Sequence, residues 1–478
     1  MRVVIASSEA VPFAKTGGLA DVAGYLLEGL TRKGIKARLF MPLYKAVRDN
    51  FPDLKYTGVE IKVTVGNKMY SSRLFSYNDS AFFTECDVFF ERQELYGSSS
   101  GDYRDNAERF IFFSKAVLQA VQALNLIPDV MHSNDWQTGL IPLYMRSIYK
   151  KHFSKTATLF TIHNLGYQGL FPYSVMPLTG LSNELFKPEG IEFYGSVNFL
   201  KAGILSSTAI NTVSENYAQE ILTSEYGFGL DGVLRKRRDD LFGILNGIDY
   251  SQWNPSKDNL IAKNYGTKDF SEGKALCKRH LLKQCGFKVE RPLLGMIGRL
   301  SAQKGIDIFL SALEEIIFAG TNVVVLGKGD EAFEKAFEGF ARKHRKNLLF
   351  WRGYDEALAH RVYAGSDVLL MPSRYEPCGL SQMIAMKYGT VPVARKTGGI
   401  KDTVEDYNPL KRKGTGFLFS DYTPNALREC LIRALCVYAE PLRWKRLILG
   451  GMKKDFSWDS SIQKYIALYE SLRRRLKG

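Results

Sequence analysis

The sequence predicts an α/β protein of two doubly wound domains facing a cleft, and three features carry the prediction. Short apolar runs that read as buried strands alternate with helix-patterned stretches in both halves, the pattern of a parallel sheet covered on both faces. A glycine-containing loop, Ser7 to Asp21, follows the first apolar run, and its Lys15-Thr16-Gly17-Gly18 returns as Lys396-Thr397-Gly398-Gly399 in the second half. At 478 residues the chain exceeds what one hydrophobic core usually holds. The expected division is 1–245 for an N-terminal domain, 246–257 for a hinge and 258–454 for a C-terminal domain. Residues 455–478 are expected to form a terminal helix packing back on the N-terminal domain.

Composition narrows the class. There is no low-complexity tract, repeat period or apolar run of membrane-spanning length, so a globular protein without a membrane partner is expected. The chain opens on a strand rather than a basic stretch and apolar core, so no secretory leader is expected. Cys86, Cys277, Cys285, Cys378, Cys430 and Cys436 show no zinc-like pairing and read as reduced thiols of a cytoplasmic protein, buried or backbone-contributing and not catalytic. Charge is the unusual quantity: 65 basic against 50 acidic side chains gives +15. Such a balance suits either nucleic acid or an anionic substrate. Without a zinc finger, an RNA-recognition motif or a basic heptad helix, the anionic substrate is the expected partner, not nucleic acid. Oligomeric state is not indicated.

Taken in order, Val3-Val4-Ile5-Ala6 is the first strand and Val22–Leu30 a helix stopped by Gly34. Lys36–Met41 is the next strand. Val59, Ile61, Val63 and Val65 alternate with polar residues before Gly66-Asn67, which predicts a hairpin. Cys86–Phe90 reads as another strand, and Asp105 as the cap of a helix whose apolar face includes Phe110, Phe113 and Val117. Val130–His132, Thr158–Ile162 and Ala209–Val213 are strands, with a helix over Gly139–Lys150 and Ser214 capping the helix that follows. Leu241–Asp249 reads as a strand running into the hinge. The pattern restarts with strands at Pro292–Arg299, Asn322–Gly329, Asp367–Pro372 and Val391–Ala394, and Asp455–Arg474 is an amphipathic helix.

The polar clusters all fall just past the carboxyl ends of these strands, where ligands of doubly wound sheets bind. Gly17-Gly18 at a helix start, with Lys15 beside it, offers N–H groups and a cation to an anion. Arg299 and Lys304 follow a strand and a glycine turn. Glu376 lies in a tight Pro377–Gly379 turn that leaves the N–H groups of Cys378, Gly379, Leu380 and Ser381 at another helix start.

Several segments together resemble the glycogen and starch synthases of glycosyltransferase family 5. They are Lys15–Val22, Asn134-Asp135-Trp136, Thr161–Asn164, Asn246–Asp249, Gly298-Arg299 with Lys304-Gly305, and Pro372–Leu380. The likeness runs from the first strand to the last helix. It implies the GT-B architecture of two Rossmann-like domains. It also implies transfer of glucose, with retention, from a nucleotide sugar (usually ADP-glucose) to an α-1,4-glucan such as glycogen. A UDP-glucose-dependent α-glucan synthase and a catalytically silent glucan- or nucleotide-binding relative are the alternatives. A dinucleotide oxidoreductase is disfavoured, because no G-x-G-x-x-G with an acidic ribose ligand follows the first strand.

That chemistry assigns expected roles. Breaking a glycosyl–phosphate bond builds positive charge on the sugar and negative charge on the diphosphate. With no acidic cluster of magnesium-type spacing, Arg299, Lys304 and Lys15 are expected to clamp the diphosphate without a metal or other cofactor. Glu376 is expected to stabilise the oxocarbenium-like sugar electrostatically rather than as a nucleophile. His163 and Asp135 are expected to orient the sugar. Gly17, Gly18, Asp21, Asn246, Cys378, Gly379, Leu380 and Ser381 are expected donor contacts, with Tyr354 stacked on the base. Gln137 stands where many family members carry histidine, and Ser381 where threonine is common. Ile384 occupies the place of the second glutamate, found in sister families.

Overall fold

The computed structural model describes residues 1–98, 101–288 and 290–476. Residue 289, within the expected second domain, and residues 477–478 of the expected terminal helix lie outside the described residues. The chain divides into two compact units. One comprises Met1–Val213, Ala218–Ile244 and Trp458–Gly478; the other comprises Ser214–Tyr217 and Leu245–Ser457. The stretch 246–257 therefore groups with the second unit.

The first unit is built on a nine-stranded sheet. Across it the strands run Leu241–Gly243, Ala209–Thr212, Ala157–Ile162, Val130–Asn134, Arg2–Ala6, Lys36–Pro42, Ala81–Thr84, Lys68–Tyr77 and Lys55–Val65. The first seven are parallel and the last two form an antiparallel hairpin at the edge. Val130–Asn134, Ala157–Ile162 and Ala209–Thr212 are buried throughout, as expected of parallel strands covered on both faces. From Arg2–Ala6 the chain first builds the sheet toward Lys36–Pro42, then returns to Val130–Asn134 on the other side. The crevice between those two carboxyl ends is the switch point, and it carries the Ser7–Gly18 loop and Asp135.

The terminal helix, Trp458–Arg475, packs within this unit on the helix Gly18–Arg32. Gly29 makes the approach possible, since a side chain there would fall 2.6 Å from Ile462. Tyr25 lies against Trp458, and Arg32 pairs with Asp459 at 3.5 Å. The inner face reaches the sheet: Tyr469 and Tyr465 hydroxyls bond His132 at 2.8 Å and Asn211 at 3.1 Å.

Some local expectations differ. The strand expected at Cys86–Phe90 is instead Ala81–Thr84, and Asp87–Phe90 is one helical turn that tucks Phe89 and Phe90 inward. A short apolar run carries no periodicity to separate the two states. Asp105 does precede the helix Asn106–Ala123, but its carboxylate is taken by Arg92 at 2.6 and 2.8 Å and caps nothing. The helix expected over Gly139–Lys150 breaks into Leu140–Arg146 and Lys150–Phe153, and the strand from Leu241 ends at Gly243. A small antiparallel sheet of Leu170–Pro172, Ser196–Asn198 and Glu192–Phe193 was not legible in the sequence pattern.

The second unit holds six parallel strands in the order Leu348–Arg352, Asn322–Gly327, Leu293–Ile297, Val368–Met371, Val391–Arg395 and Phe417–Phe419. Order again reverses in the middle, between Leu293–Ile297 and Val368–Met371. Helices start where side chains satisfy their first N–H groups: Asp330 accepts from Ala332, Asp355 from Leu358 and Thr423 from Ala426. At the switch point Gly305 has φ +71°, and a Cβ on it would lie 1.9 Å from the Pro372 carbonyl oxygen. Only glycine lets the two loops close.

That contact predicts a large difference between two substitutions. Gly320→Ala, at φ +84° with nothing within 4 Å, should cost about 1–2 kcal/mol from the left-handed backbone alone. Gly305→Ala should cost several times more or prevent folding, as read from urea unfolding midpoints of the two variants.

Candidate active site

In the second unit the two loops of the switch point are laced together. Lys304 Nζ lies 2.6 Å from Glu376 Oε2, and the Ser373 hydroxyl donates to the same oxygen at 3.0 Å. Arg374 N–H donates to the Gln303 carbonyl at 2.8 Å. Glu376 is buried while Lys304 is partly open, so the pair presents its cation outward. Arg374 stacks on Tyr422 and reaches Asp307.

The Pro377–Gly379 turn is held from below. Gln382 Nε2 donates to the carbonyls of Cys378 and Gly379 at 3.1 and 2.6 Å, and Gly379 has φ +72°. Cys378 is buried, the Asn246 backbone N–H donates to its sulfur, and burial pushes the thiol up to about 12, so it is no nucleophile. The Asn246 Oδ1 is buried without a hydrogen-bond partner. Leu380 precedes the helix Ser381–Lys387, which has no side-chain cap, and the Ser381 hydroxyl bonds Tyr363. Of the six cysteines, all free, Cys436 is exposed, Cys285 half-buried and the other four buried.

Arg299 is exposed just past Leu293–Ile297. Its loop lies backbone to backbone with Gly327-Lys328-Gly329, where Leu300 N–H donates to the Lys328 carbonyl at 3.0 Å. A Cβ at Gly327 or Gly329 would sit 2.2 Å from the Gly298 or Leu300 oxygen. This brings Lys328, a cation the sequence reading passed over, beside Arg299. Tyr354 follows Gly353, whose N–H bonds the Gly327 carbonyl at 2.9 Å, and its ring is 69% exposed.

In the first unit Lys15 pairs with Asp21 at 2.7 Å. The loop is organised by Glu9, which sequence reasoning assigned no role: its buried carboxylate accepts from the Thr16 N–H, the Thr16 hydroxyl and the Gly17 N–H. Burial raises its pKa, and those donors oppose the shift. Side chains at Gly17 and Gly18 would meet nothing within 4 Å, so the helix start stands open. The related Gly398 and Gly399 behave oppositely: a Cβ there would strike the Glu376 oxygen at 1.9 Å or the Cys378 oxygen at 2.0 Å. One copy of the motif leaves room for a ligand, and the other supports the Glu376 turn.

Asp135 and His163 are brought together across adjacent strands. The His163 N–H donates to Asp135 Oδ1 at 2.8 Å, and His163 Nε2 meets Asn134 Oδ1 at 3.0 Å. Since the Asn134 amide donates to the Ala6 carbonyl, its oxygen faces the ring, and His163 Nε2 carries the proton. Burial lowers the His163 pKa to about 3, so the ring is neutral, and burial pushes Asp135 up to about 7. Asp135 has φ +55°, an uncommon conformation for a non-glycine residue. His132, three residues before Asp135, is fully buried between Tyr469 and Thr161 and is a core group. Gln137 is buried with its Oε1 unpaired. Among the described residues, no group of three or more His, Cys, Asp or Glu side chains is placed to hold a metal ion.

A family model described as the starch synthase catalytic domain matches residues 2–236, and one for group 1 glycosyl transferases matches residues 278–446. A glycogen synthase of Thermodesulfovibrio yellowstonii is 45% identical over 99% of this chain and 98% of its own length. The chain belongs to the glycogen and starch synthase family. It is therefore a glycosyltransferase with the GT-B fold. The glycogen synthase of Elusimicrobium minutum is 43% identical over 99% of both chains. The catalytic domain of Starch Synthase IV from Arabidopsis thaliana, solved bound to ADP and acarbose, superposes with a TM-score of 0.89 at 34% identity over 99% of both chains. A sucrose-phosphate synthase from Thermosynechococcus elongatus, 18% identical with a TM-score of 0.62, shares the fold. Among the described residues no helix is long and apolar enough to cross a membrane.

Three buried groups of this glycosyltransferase contribute to the pH dependence of its stability. Between about pH 4 and 6 the folded chain leaves His132 and His163 neutral, while the unfolded chain protonates both. Asp135 does the reverse, holding a proton that the unfolded chain has lost. From these three groups the unfolded state binds one proton more, so stability falls as pH falls, by about 1.4 kcal/mol per pH unit. Asp135→Asn removes this opposing group, and urea midpoints should then fall more steeply from pH 6 to pH 4.5.

Proposed function

We propose that the protein is a cytoplasmic glycogen synthase that transfers glucose, with retention and without a metal, from ADP-glucose to the non-reducing end of an α-1,4-glucan. The observation that carries the reading is the Lys304–Glu376 pair at the second sheet's switch point. It sets a cation and a carboxylate 2.6 Å apart, where a leaving phosphate and a developing sugar cation need opposite charges. In this reading Lys304 and Arg299 bind the diphosphate, assisted by N–H groups of Cys378, Gly379, Leu380 and Ser381. Glu376 faces the anomeric carbon. The C1–oxygen bond breaks with its electron pair going to the diphosphate, the acceptor 4-hydroxyl oxygen bonds C1, and its proton passes to the leaving phosphate. Ser373 fixes the Glu376 rotamer. Neutral His163 and Asp135 orient sugar hydroxyls, and Tyr354 stacks on the base. Lys15, Gly17, Gly18 and Asp21 are further donor contacts, and Asn246, with an unpaired buried oxygen, can accept from the donor. The Arabidopsis relative, solved with ADP and acarbose, supports an adenine nucleotide and a sugar chain as the ligand classes.

Incubating the protein in EDTA with glycogen and either ADP-glucose or UDP-glucose tests the reading directly. Chain growth and nucleotide release should occur with ADP-glucose and be at least tenfold faster than with UDP-glucose. Loss of activity in EDTA, restored by magnesium, would remove the metal-free clamp.

Lys304→Ala and Glu376→Ala should each lower kcat by about 100-fold or more while glycogen retention in native gels stays unchanged. Turnover within threefold of the parent would sink the assigned roles.

A further inference from the structure

Among the described residues, seven non-glycine positions have positive φ, and four of them are Asn or Asp, the residues that tolerate it. Two of the others are bulky aromatics, Tyr194 at +48° and Phe228 at +47°, and each is followed by a glycine at about +80°. Tyr194-Gly195 is the two-residue loop of the hairpin that pairs Phe193 with Ser196. A loop of this hand takes asparagine far more readily than tyrosine at its first position. Both aromatics are nonetheless displayed: Tyr194 is 85% exposed and Phe228 37% exposed.

The two strained positions belong to one surface. The Phe193 and Tyr194 ring centroids are 4.7 Å apart, and a Cβ on Gly229 would lie 2.9 Å from Phe193 and 3.5 Å from Tyr194. Buried Gln168 ties the pieces together: its amide donates to the Phe228 carbonyl at 3.0 Å and its oxygen accepts from Asn198 at 2.7 Å. Tyr167, next to Gln168, is half exposed, and so is Leu170 on the edge strand paired with Asn198. The segment that bears Tyr167 begins at His163, with Tyr167 N–H bonded to the Asn164 carbonyl at 3.1 Å. The aromatic surface is therefore tied through this short segment to His163 of the candidate site in the same unit.

We propose that Tyr194, Phe228 and Tyr167 form a docking surface for the α-glucan acceptor, gripping sugar units of the chain beyond the one that receives glucose. The inference rests on the glucan synthase reading above. A pyranose presents a face of C–H bonds that lies flat on an aromatic ring, while its hydroxyls stay in water. Rings held rigidly outward suit that contact, and a polymer acceptor offers many such faces. Strain kept at exposed aromatic positions is what a binding role explains.

Tyr194→Asn separates the two roles, because it removes the ring and relieves the turn. The variant should unfold at a higher temperature than the parent, yet its retention in glycogen-containing native gels should weaken about fivefold. Its kcat/KM should fall about fivefold more with glycogen than with maltotriose, which has few rings to lay on the surface. Phe228→Ala should shift the same ratio in the same direction. Unchanged glycogen retention, or equal losses on both acceptors, would overturn the proposal. The gel reads binding independently of turnover, so a parent protein that binds glycogen through Tyr194 but elongates nothing would overturn the synthase reading instead.

Discussion

The structure depends on backbone meeting backbone where strand order reverses. In the second unit Gly305 lies against the Pro372 carbonyl, and Gly398 and Gly399 lie against the carbonyls of Glu376 and Cys378. A single methyl group at any of these places would overlap an oxygen that the sheet holds fixed. The loops leaving Leu293–Ile297 and Val368–Met371 are thereby drawn to hydrogen-bonding range, and the Lys304–Glu376 pair is the chemical result. Without that approach the cation and the carboxylate would be two unrelated surface charges, worth little in water.

The first unit solves a similar problem with side chains. Glu9 is sunk at the switch point and spends its acceptor capacity on Thr16 and Gly17, which leaves Lys15 and the open helix start facing outward. Asp135, in a strained backbone conformation, fixes the chain after the neighbouring strand through the His163 N–H. Behind both, the terminal helix supplies Tyr465 and Tyr469 to Asn211 and His132, so the strands bearing the site residues are braced by the last segment of the chain. Burial keeps His132 and His163 neutral and raises Asp135, so the polar groups here act through hydrogen bonds more than through charge.

The two copies of the Lys-Thr-Gly-Gly pattern show what similarity in sequence does and does not mean. Both open a helix from an extended residue, Gly17 in one case and Thr397 in the other. One faces open space and the other is packed solid against the Glu376 turn. The same four residues open the helix one position apart, with Gly17 extended at φ −154° and Gly398 at φ +45°, because the surroundings differ.

The alternation of apolar runs and helix patterns determined the doubly wound class, since strands buried on both faces must be apolar throughout and each crossover helix must show one apolar stripe. The ordered set of motifs determined the family. Local pattern failed where length was too short to show a period, at Cys86–Phe90, and where a side chain had a better partner than the one beside it, at Asp105. Only the tertiary structure decided which strands adjoin. That choice brought Ser373 to Glu376, Asn134 to His163, Lys328 to Leu300 and Gly229 to Phe193. The physical reason is that a hydrogen bond or a van der Waals contact acts over a few ångströms of space. Separation along the chain says nothing about such distances until the sheet has ordered its strands.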